Sequence, residues 1–136
     1  MVLRAARRGN LLRDERGSAP VEFVLVGVVL TVLTFAIIQF GVAVYVRNVV
    51  HDAAVEGAHR AALADTSLSE GAERTREVIA RTVGDAFAGD VSARATDHLG
   101  YPAVEVTVRT SLPLVGLIGV PWALEVKAHA PAEELD

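Results

Sequence analysis

Cysteine is absent from this chain of 136 residues, which excludes a disulfide framework and a thiolate metal site. The absence removes one common means of stabilising a small secreted domain, although it does not identify the compartment. The length allows one modest domain. Apolar residues make up 51% of the chain, a share that is high for a soluble protein.

Catalytic motifs are also missing, since no glycine-rich phosphate loop follows a strand and neither HExxH nor a Ser-His-Asp order occurs. Glu56 and His59 stand three apart, with Asp52 one turn earlier, and Glu-x-x-His supplies metal ligands only where it is repeated on other helices. It is not repeated, so we interpret these residues as a solvated helix stripe, with a metal enzyme as the alternative. We predict no enzyme activity, no metal, no cofactor and no small-molecule substrate. The other histidines show no spacing pattern and are expected on surfaces or strand faces: His51, His98 and His129.

Charge and proline are both absent from a run of 24 residues, 23–46. As an α-helix this run would be about 36 Å long, enough to cross a bilayer. A cleaved secretory signal has a shorter apolar region, about 7–15 residues, followed by small residues at a cleavage site. Here the following residues keep a helical pattern, so we predict one continuous helix over residues 20–64.

Positive charge is concentrated before this run. Residues 1–17 hold five arginines and two acidic residues, a net charge of +3, whereas the whole chain carries −4. A basic leader before a long apolar helix predicts a single-pass protein of the cytoplasmic membrane, with its N-terminus inside and its C-terminal domain outside. The acidic remainder argues against nucleic-acid binding, which needs clustered Lys and Arg.

The C-terminal half is predicted to form a small domain. Residues 65–67 break the helical pattern and can cap a second helix, which is amphipathic from Leu68 to Phe87 and is expected to end near Gly89. The predicted fold class is α+β: a long transmembrane helix continues outside the membrane, followed by an amphipathic helix packed on a small three-stranded antiparallel sheet.

The strands are predicted from alternating apolar and polar residues near 91–96, 104–109 and 122–129, with DHLGYP turning the first into the second. Val106 and Leu124 should face the core. Glu105 and Lys127 should face away from it, so that Glu105→Ala should be tolerated.

An apolar segment, residues 112–121, joins the last two predicted strands and contains prolines and glycines. It is either a loop folded over the open end of the sheet or a contact with lipid or another subunit, since exposed apolar patches usually mark interfaces. The predicted organisation is a basic leader over residues 1–17, a long helix over 18–64 with its span at 23–46, and an extracytoplasmic α+β domain over 66–136.

Small residues at a spacing of four recur along the predicted helix. The spacing lets helix backbones approach closely and favours helix–helix packing in lipid. Alanine is also a good helix former, so the stretch over residues 53–62 fits ordinary helix formation equally well. The predicted packing residues are Gly27, Gly41, Gly57 and Ala61.

A basic leader, Gly17, Glu22 five residues later and a long apolar helix form the pattern of type IV prepilin-like proteins. Within that class, RGSAPVEFVLV and QFGVAVYVRNVVHDAAVEGAHRAAL resemble the TadE-like family, the minor pilin-like proteins of tight-adherence (Tad, Flp-type) pilus systems. The resemblance covers about residues 13–64. The chain departs from the family pattern where members often have a proline in the early apolar run and Glu-Phe-Gly later in it. Here the later motif is Gln39-Phe40-Gly41.

The resemblance implies that a prepilin-type peptidase cuts between Gly17 and Ser18, and that Glu22 pairs with the new amine in its own chain or in a neighbour. It implies a pseudopilin-like minor component or assembly factor of a pilus or related secretion machine that serves adhesion. Its partners would be the membrane, the peptidase, other pilin-like subunits and pilus assembly proteins. The mature protein would lie in the cytoplasmic membrane or in extracellular pili. The alternative is an uncleaved signal-anchor protein whose external domain binds a ligand or an envelope partner.

Overall fold

The structure is a computed structural model that describes residues 17–113 and 120–133, without the side chains of residues 120–122. The chain divides into two compact units, Met1–Ala36 and Ile37–Asp136. Most of the predicted leader and most of the apolar segment over 112–121 lie outside the described residues. The two interpretations of that segment therefore both stay open.

The first helix, α1, runs over Ser18–Ala62. Pro20 lies in its first turn, where the missing N–H removes no intrahelical hydrogen bond. The helix begins and ends two residues earlier than the predicted range of 20–64. Beyond its end the chain turns tightly, with the Thr66 amide donating to the Leu63 carbonyl over 3.1 Å.

The surface of α1 changes along its length. Large apolar side chains are exposed from Val21 to Tyr45. From Val46 onward the buried residues follow one another at intervals of three and four or lie side by side, which places them on one face of the helix. These residues are Val46, Val50, Ala53, Ala54, Gly57, Ala58, Ala61 and Ala62.

The second helix, α2, runs over Leu68–Val83 and is capped by Ser67. The Glu70 amide donates to the Ser67 hydroxyl, and the Glu70 carboxylate accepts from the Ser67 amide over 2.7 Å, which together form a capping box. The predicted end near Gly89 is wrong, because the chain leaves the helix at Gly84, whose φ of 108° suits glycine. Phe87 belongs to a separate 3-10 turn, Asp85–Phe87.

Three strands form one antiparallel sheet in the order β1-β2-β3: β1 is Asp90–His98, β2 is Tyr101–Leu112 and β3 is Val120–Pro131. A two-residue turn joins β1 to β2, as the sequence predicted. Its residues, Leu99 and Gly100, have φ values of 53° and 84°. Positive φ at both positions matches the twist of a tight hairpin.

One face of the sheet forms the core with the helices. Val106 is fully buried and Leu124 is buried, while Lys127 is exposed, so the predicted direction of these strand faces is confirmed. The same cluster contains the buried stripe of α1 together with Ala72 and Ile79 of α2. The α+β fold class is confirmed, and the buried stripe of α1 belongs to the same apolar cluster as the sheet.

Candidate functional site

The start of α1 contains the predicted cleavage and pairing residues. Gly17 forms a turn just before the helix, Ser18 is its first residue, and both are exposed. Glu22 is also exposed and lies just beyond the first helical turn, which contains no acidic residue. The helix dipole acts mainly within the first turn, so it stabilises Glu22 less than a helix starting at Pro20 would have done.

The apolar part of α1 has the surface expected of a membrane span. Within the part of the chain that the structure describes, α1 is the one helix long and apolar enough to cross a bilayer, and its most apolar window has no buried residue. The hydroxyls of Thr31 and Thr34 donate to the carbonyls of Gly27 and Leu30, each over 2.8 Å. These bonds satisfy the threonine hydroxyls inside the helix, as an apolar solvent requires.

The four predicted packing residues have different surroundings. Apart from the adjoining residues and backbone of the helix itself, no atom lies within 4 Å of the position that a Cβ would occupy at Gly27 or Gly41. Both glycines are therefore open to a neighbour outside the chain, and their role in subunit packing stays a prediction.

Gly57 and Ala61 lie instead where α1 contacts α2. A Cβ on Gly57 would collide with the Thr75 hydroxyl and would lie 2.6 Å from the Gly71 carbonyl oxygen. A Cβ on Gly71 would collide with the Ala61 side chain. The Thr75 hydroxyl donates within this contact to the Ala53 carbonyl over 3.2 Å or the Gly71 carbonyl over 3.0 Å. Both helices therefore need glycine at this contact, because a β-carbon on either one would force α1 and α2 apart.

The polar face of the sheet contains a buried carboxylate that the sequence did not reveal. Glu105 points away from Val106, as predicted, but only 6% of it is exposed, so it is not a solvated surface residue. Its neighbours on the edge strands explain the burial, since Arg94 is its partner on β1 and His129 its partner on β3. The Glu105 carboxylate accepts from Arg94 Nε over 2.8 Å and lies 2.8 Å from His129 Nε2.

These contacts determine the protonation of Glu105. Burial by itself would raise the pKa of this carboxyl, but the hydrogen bonds with His129 and Arg94 and the charges of Arg94 and Lys127 outweigh it and hold the pKa below its ordinary value. On the same face, hydrogen bonds from Arg109 and Lys127 lower the pKa of Glu125. The polar face is therefore a network of ion pairs rather than a set of independent charges.

Two histidines without a spacing pattern in the sequence meet in the fold. The rings of His98 on β1 and His129 on β3 stack, with centroids 4.4 Å apart and an interplanar angle of 18°. On β2, the small residue Ala103 lies midway between Tyr101 and Glu105, which are the register partners of His98 and His129. The two histidines belong to different cross-strand rows, since His98 is opposite Tyr101 and His129 is opposite Glu105, so their contact is diagonal and is visible only in the folded sheet.

The alternative of a metal enzyme gains no support from the surroundings of Glu56. Its carboxylate accepts from Arg74 of α2, with Nε–Oε1 and Nη2–Oε1 distances of 2.7 and 2.6 Å. Within residues 17–113 and 120–133, no group of three or more acidic or histidine side chains is arranged to hold a metal ion. Asp52 and His59 are exposed on the same helix. Glu56 thus has a structural partner that explains its position.

Comparison with known proteins finds a family match for the N-terminal segment. Residues 17–59 match the family described as TadE-like protein. The match begins at Gly17, contains Glu22 and the whole apolar part of α1, and ends before α2. No curated protein and no solved structure matches the chain. The resemblance seen in the sequence is confirmed for this segment: the chain has a TadE-like segment at residues 17–59.

Proposed function

We propose that this protein is a minor component or assembly factor of a Tad, Flp-type pilus or a related secretion machine, and that a prepilin-type peptidase removes its leader. The observation that carries the proposal is the TadE-like match, which begins at Gly17 and extends through the membrane helix. In this role the protein is the substrate of an enzyme and has no catalytic activity of its own.

The boundary of α1 supports cleavage between Gly17 and Ser18. The cut would release the basic leader and leave a mature chain whose first residue, Ser18, is also the first residue of the helix. Before the cut, the leader arginines hold the N-terminus in the cytoplasm and orient the C-terminal domain outward. Cleavage would therefore change the charge at the helix start without shortening the span.

This cut would create a positively charged partner for the Glu22 carboxylate. The new α-amine of Ser18 would precede it by four residues, on the same side of the helix and about 6 Å away along its axis. A charged carboxylate costs a few kcal/mol in lipid, and a cationic partner offsets part of that cost. A pair formed with the amine of a neighbouring chain would also set the stagger between subunits. Gly27 and Gly41, which are open to a neighbour, lie on the same apolar helix and could let such subunits approach closely.

The cleavage proposal is tested by Gly17→Leu in cells that contain the peptidase. A peptidase that accepts only a small residue before the cut should leave this variant at full length, while N-terminal sequencing of the wild type should start at Ser18. Gly27→Leu is the matched control, because it makes the same glycine-to-leucine change at an exposed position inside α1, away from the cut. Equal cleavage of Gly17→Leu and wild type would contradict the proposal. An uncut wild-type chain would favour the signal-anchor alternative.

The role of Glu22 is tested by Glu22→Gln in a deletion strain. The variant should insert and be cut, because the glycine site is intact and a neutral amide enters lipid at lower cost. It should fail to restore pili, which electron microscopy measures beside an immunoblot of the cleaved protein. Glu73→Gln, an equal change on the exposed face of α2, should restore them. Normal piliation with Glu22→Gln would remove the assembly role and leave the cleavage proposal standing.

A further inference from the structure

The hairpin tip, defined here as His98, Leu99, Gly100 and Tyr101, exposes two large apolar side chains. Leu99 is 85% exposed and Tyr101 is 72% exposed. Outside the apolar part of α1, the next most exposed large apolar side chain of the described residues is Leu68, at 36%. A soluble surface can hold single apolar residues, but two adjacent ones at the end of a hairpin form a protruding patch.

Leu99 also has an unfavourable backbone conformation. Its φ of 53° makes it the one residue other than glycine with a positive φ in the described chain. A two-residue hairpin turn prefers Asn, Asp or Gly at this position, because a β-carbon is strained there. Contacts within the domain do not compensate for the strain, since the side chain is almost fully exposed. The tight hairpin imposes this conformation, so a leucine stands at the tip where Asn, Asp or Gly would form the same turn with less strain.

A groove lies directly beside the two protruding side chains. Its volume is about 290 Å³, enough for a leucine or tyrosine side chain. Its lining contains no Asp, Glu, Lys or Arg, unlike the rest of the polar face of the sheet with its arginines and glutamates. The lining residues are His98, Leu99, Tyr101, Pro102, Ala103, His129, Ala130 and Pro131.

The position of the hairpin tip excludes the lipid of the protein's own membrane as its occupant. The Ala132 amide donates to the Pro102 carbonyl, and the Glu133 amide donates to the Ala62 carbonyl, so the tip lies at the C-terminal end of α1. The last residue of the uncharged run, Val46, lies about 24 Å back along that helix. The patch therefore faces a partner outside the bilayer.

We propose that the hairpin tip is a contact between two copies of this chain, in which Leu99 of each copy enters the groove of the other and packs beside its Tyr101. The protruding apolar side chains and a groove without Asp, Glu, Lys or Arg lie on the same hairpin, so the surface is complementary to itself, as a two-fold contact requires. Copies that insert with the same leader have the same orientation, so their tips lie at the same height above the membrane. Confinement to the membrane raises the effective concentration, so a small contact area suffices.

The contact goes beyond the proposed function, because it requires neither leader cleavage nor Glu22. Since the chain has no cysteine, single cysteines can report it directly in full-length protein in native membranes. Leu99→Cys should give a disulfide-linked dimer of twice the protein's mass under mild oxidation. Glu73→Cys, an exposed position on α2, should give several-fold less. Leu99→Cys combined with Gly17→Leu should still form the dimer, which separates this test from the cleavage test.

Two outcomes of the cross-linking experiment would overturn the proposal: dimer yields at Leu99→Cys no higher than at Glu73→Cys, or cross-links only to a different protein. A second variant excludes a purely structural role for Leu99. Leu99→Asn should relieve the strained turn and raise the midpoint of thermal unfolding. It should also lower energy transfer between labelled copies in vesicles several-fold. Wild-type energy transfer with Leu99→Asn would equally contradict the proposed contact.

Discussion

Along α1, the part up to Tyr45 and the part from Val46 onward show how one helix meets two surroundings. In the first part, large apolar side chains are exposed on every side, and the threonine hydroxyls bond back to the helix. In the second part only one stripe is buried, and it consists mostly of alanine and glycine. A lipid-facing helix needs an apolar surface all round, whereas a core-facing helix needs one face that allows close approach.

Two glutamates, Glu22 at the start of α1 and Glu105 in the sheet, also have contrasting surroundings. Glu22 is exposed and forms no ion pair within residues 17–113 and 120–133. Glu105 is buried and held by Arg94 and His129. A buried carboxylate that already has partners stabilises the fold locally, whereas the exposure of Glu22 at the start of the span is compatible with the assembly role proposed for it.

The largest effect is expected when the same substitution is placed in the two parts of α1. Val50 is fully buried, so Val50→Asp should lower the free energy of unfolding of the domain by roughly 3–5 kcal/mol. Limited proteolysis of full-length protein in membranes should then degrade the domain.

Val32→Asp is the matched change near the middle of the exposed apolar part, where Val32 is also an exposed valine. It should leave the domain resistant to protease but weaken membrane insertion, since an aspartate near the centre of a span costs about 2.5–3.5 kcal/mol. Alkaline extraction of membranes measures this loss. Equal protease sensitivity of both variants would contradict the claim that only the second part of α1 is packed in the domain core.

A smaller effect is expected from adding one methyl group to a glycine in each part. Gly57→Ala should separate α1 from α2 and cost about 1–3 kcal/mol, because the new Cβ meets Thr75 and the Gly71 carbonyl. Gly41→Ala should not lower the thermal midpoint, because its position is open and alanine favours the helix. Thermal unfolding in detergent compares the two, and an equal midpoint would show that the helix contact tolerates a side chain.

The contrast between carboxylates predicts a comparable loss for Glu105→Ala. Removing the buried acid leaves Arg94 and His129 without their partner and should cost about 1–3 kcal/mol, which corrects the expectation that this change is tolerated. Glu125→Ala is the control, since the Arg109–Glu125 pair is exposed and should contribute little. Urea unfolding of both variants measures the difference, and equal stability would mean that the burial of Glu105 has no energetic consequence.

The smallest effect is a dependence of stability on pH. The pKa of Glu105 is lower in the folded chain than its ordinary value of about 4.3, so its contribution is complete above that value. As the pH falls below that value, Glu105 is protonated first in the unfolded chain. Its contribution to the free energy of unfolding is therefore lost as the pH falls through the pKa of the folded state. Urea unfolding between about pH 6 and about pH 3 should therefore show a shallower decline for Glu105→Gln than for wild type. Glu70 and Glu125, whose pKa values are also lowered, should maintain part of the decline.

Local patterns predicted much of this fold. The apolar run of α1, the cap at Ser67 and the alternation around Val106 follow from interactions between residues close in the chain, so sequence alone was sufficient. The spacing of Gly17 and Glu22, together with the basic leader and the apolar run, indicated the TadE-like segment that the family match confirms. The predicted end of α2 was wrong, because the apolar spacing continued through Phe87 although Gly84 had already left the helical conformation.

Sequence by itself determined where the chain is apolar, where it is helical or extended, and which residues form the prepilin-like pattern, because these properties depend on neighbours a few positions away. Only the tertiary structure decided that Glu105 is buried, that His98 stacks on His129, and that Gly57 approaches Gly71. Each of these contacts joins residues from different strands or helices. Their partners are set by strand register and helix packing, which no periodicity within a single segment encodes.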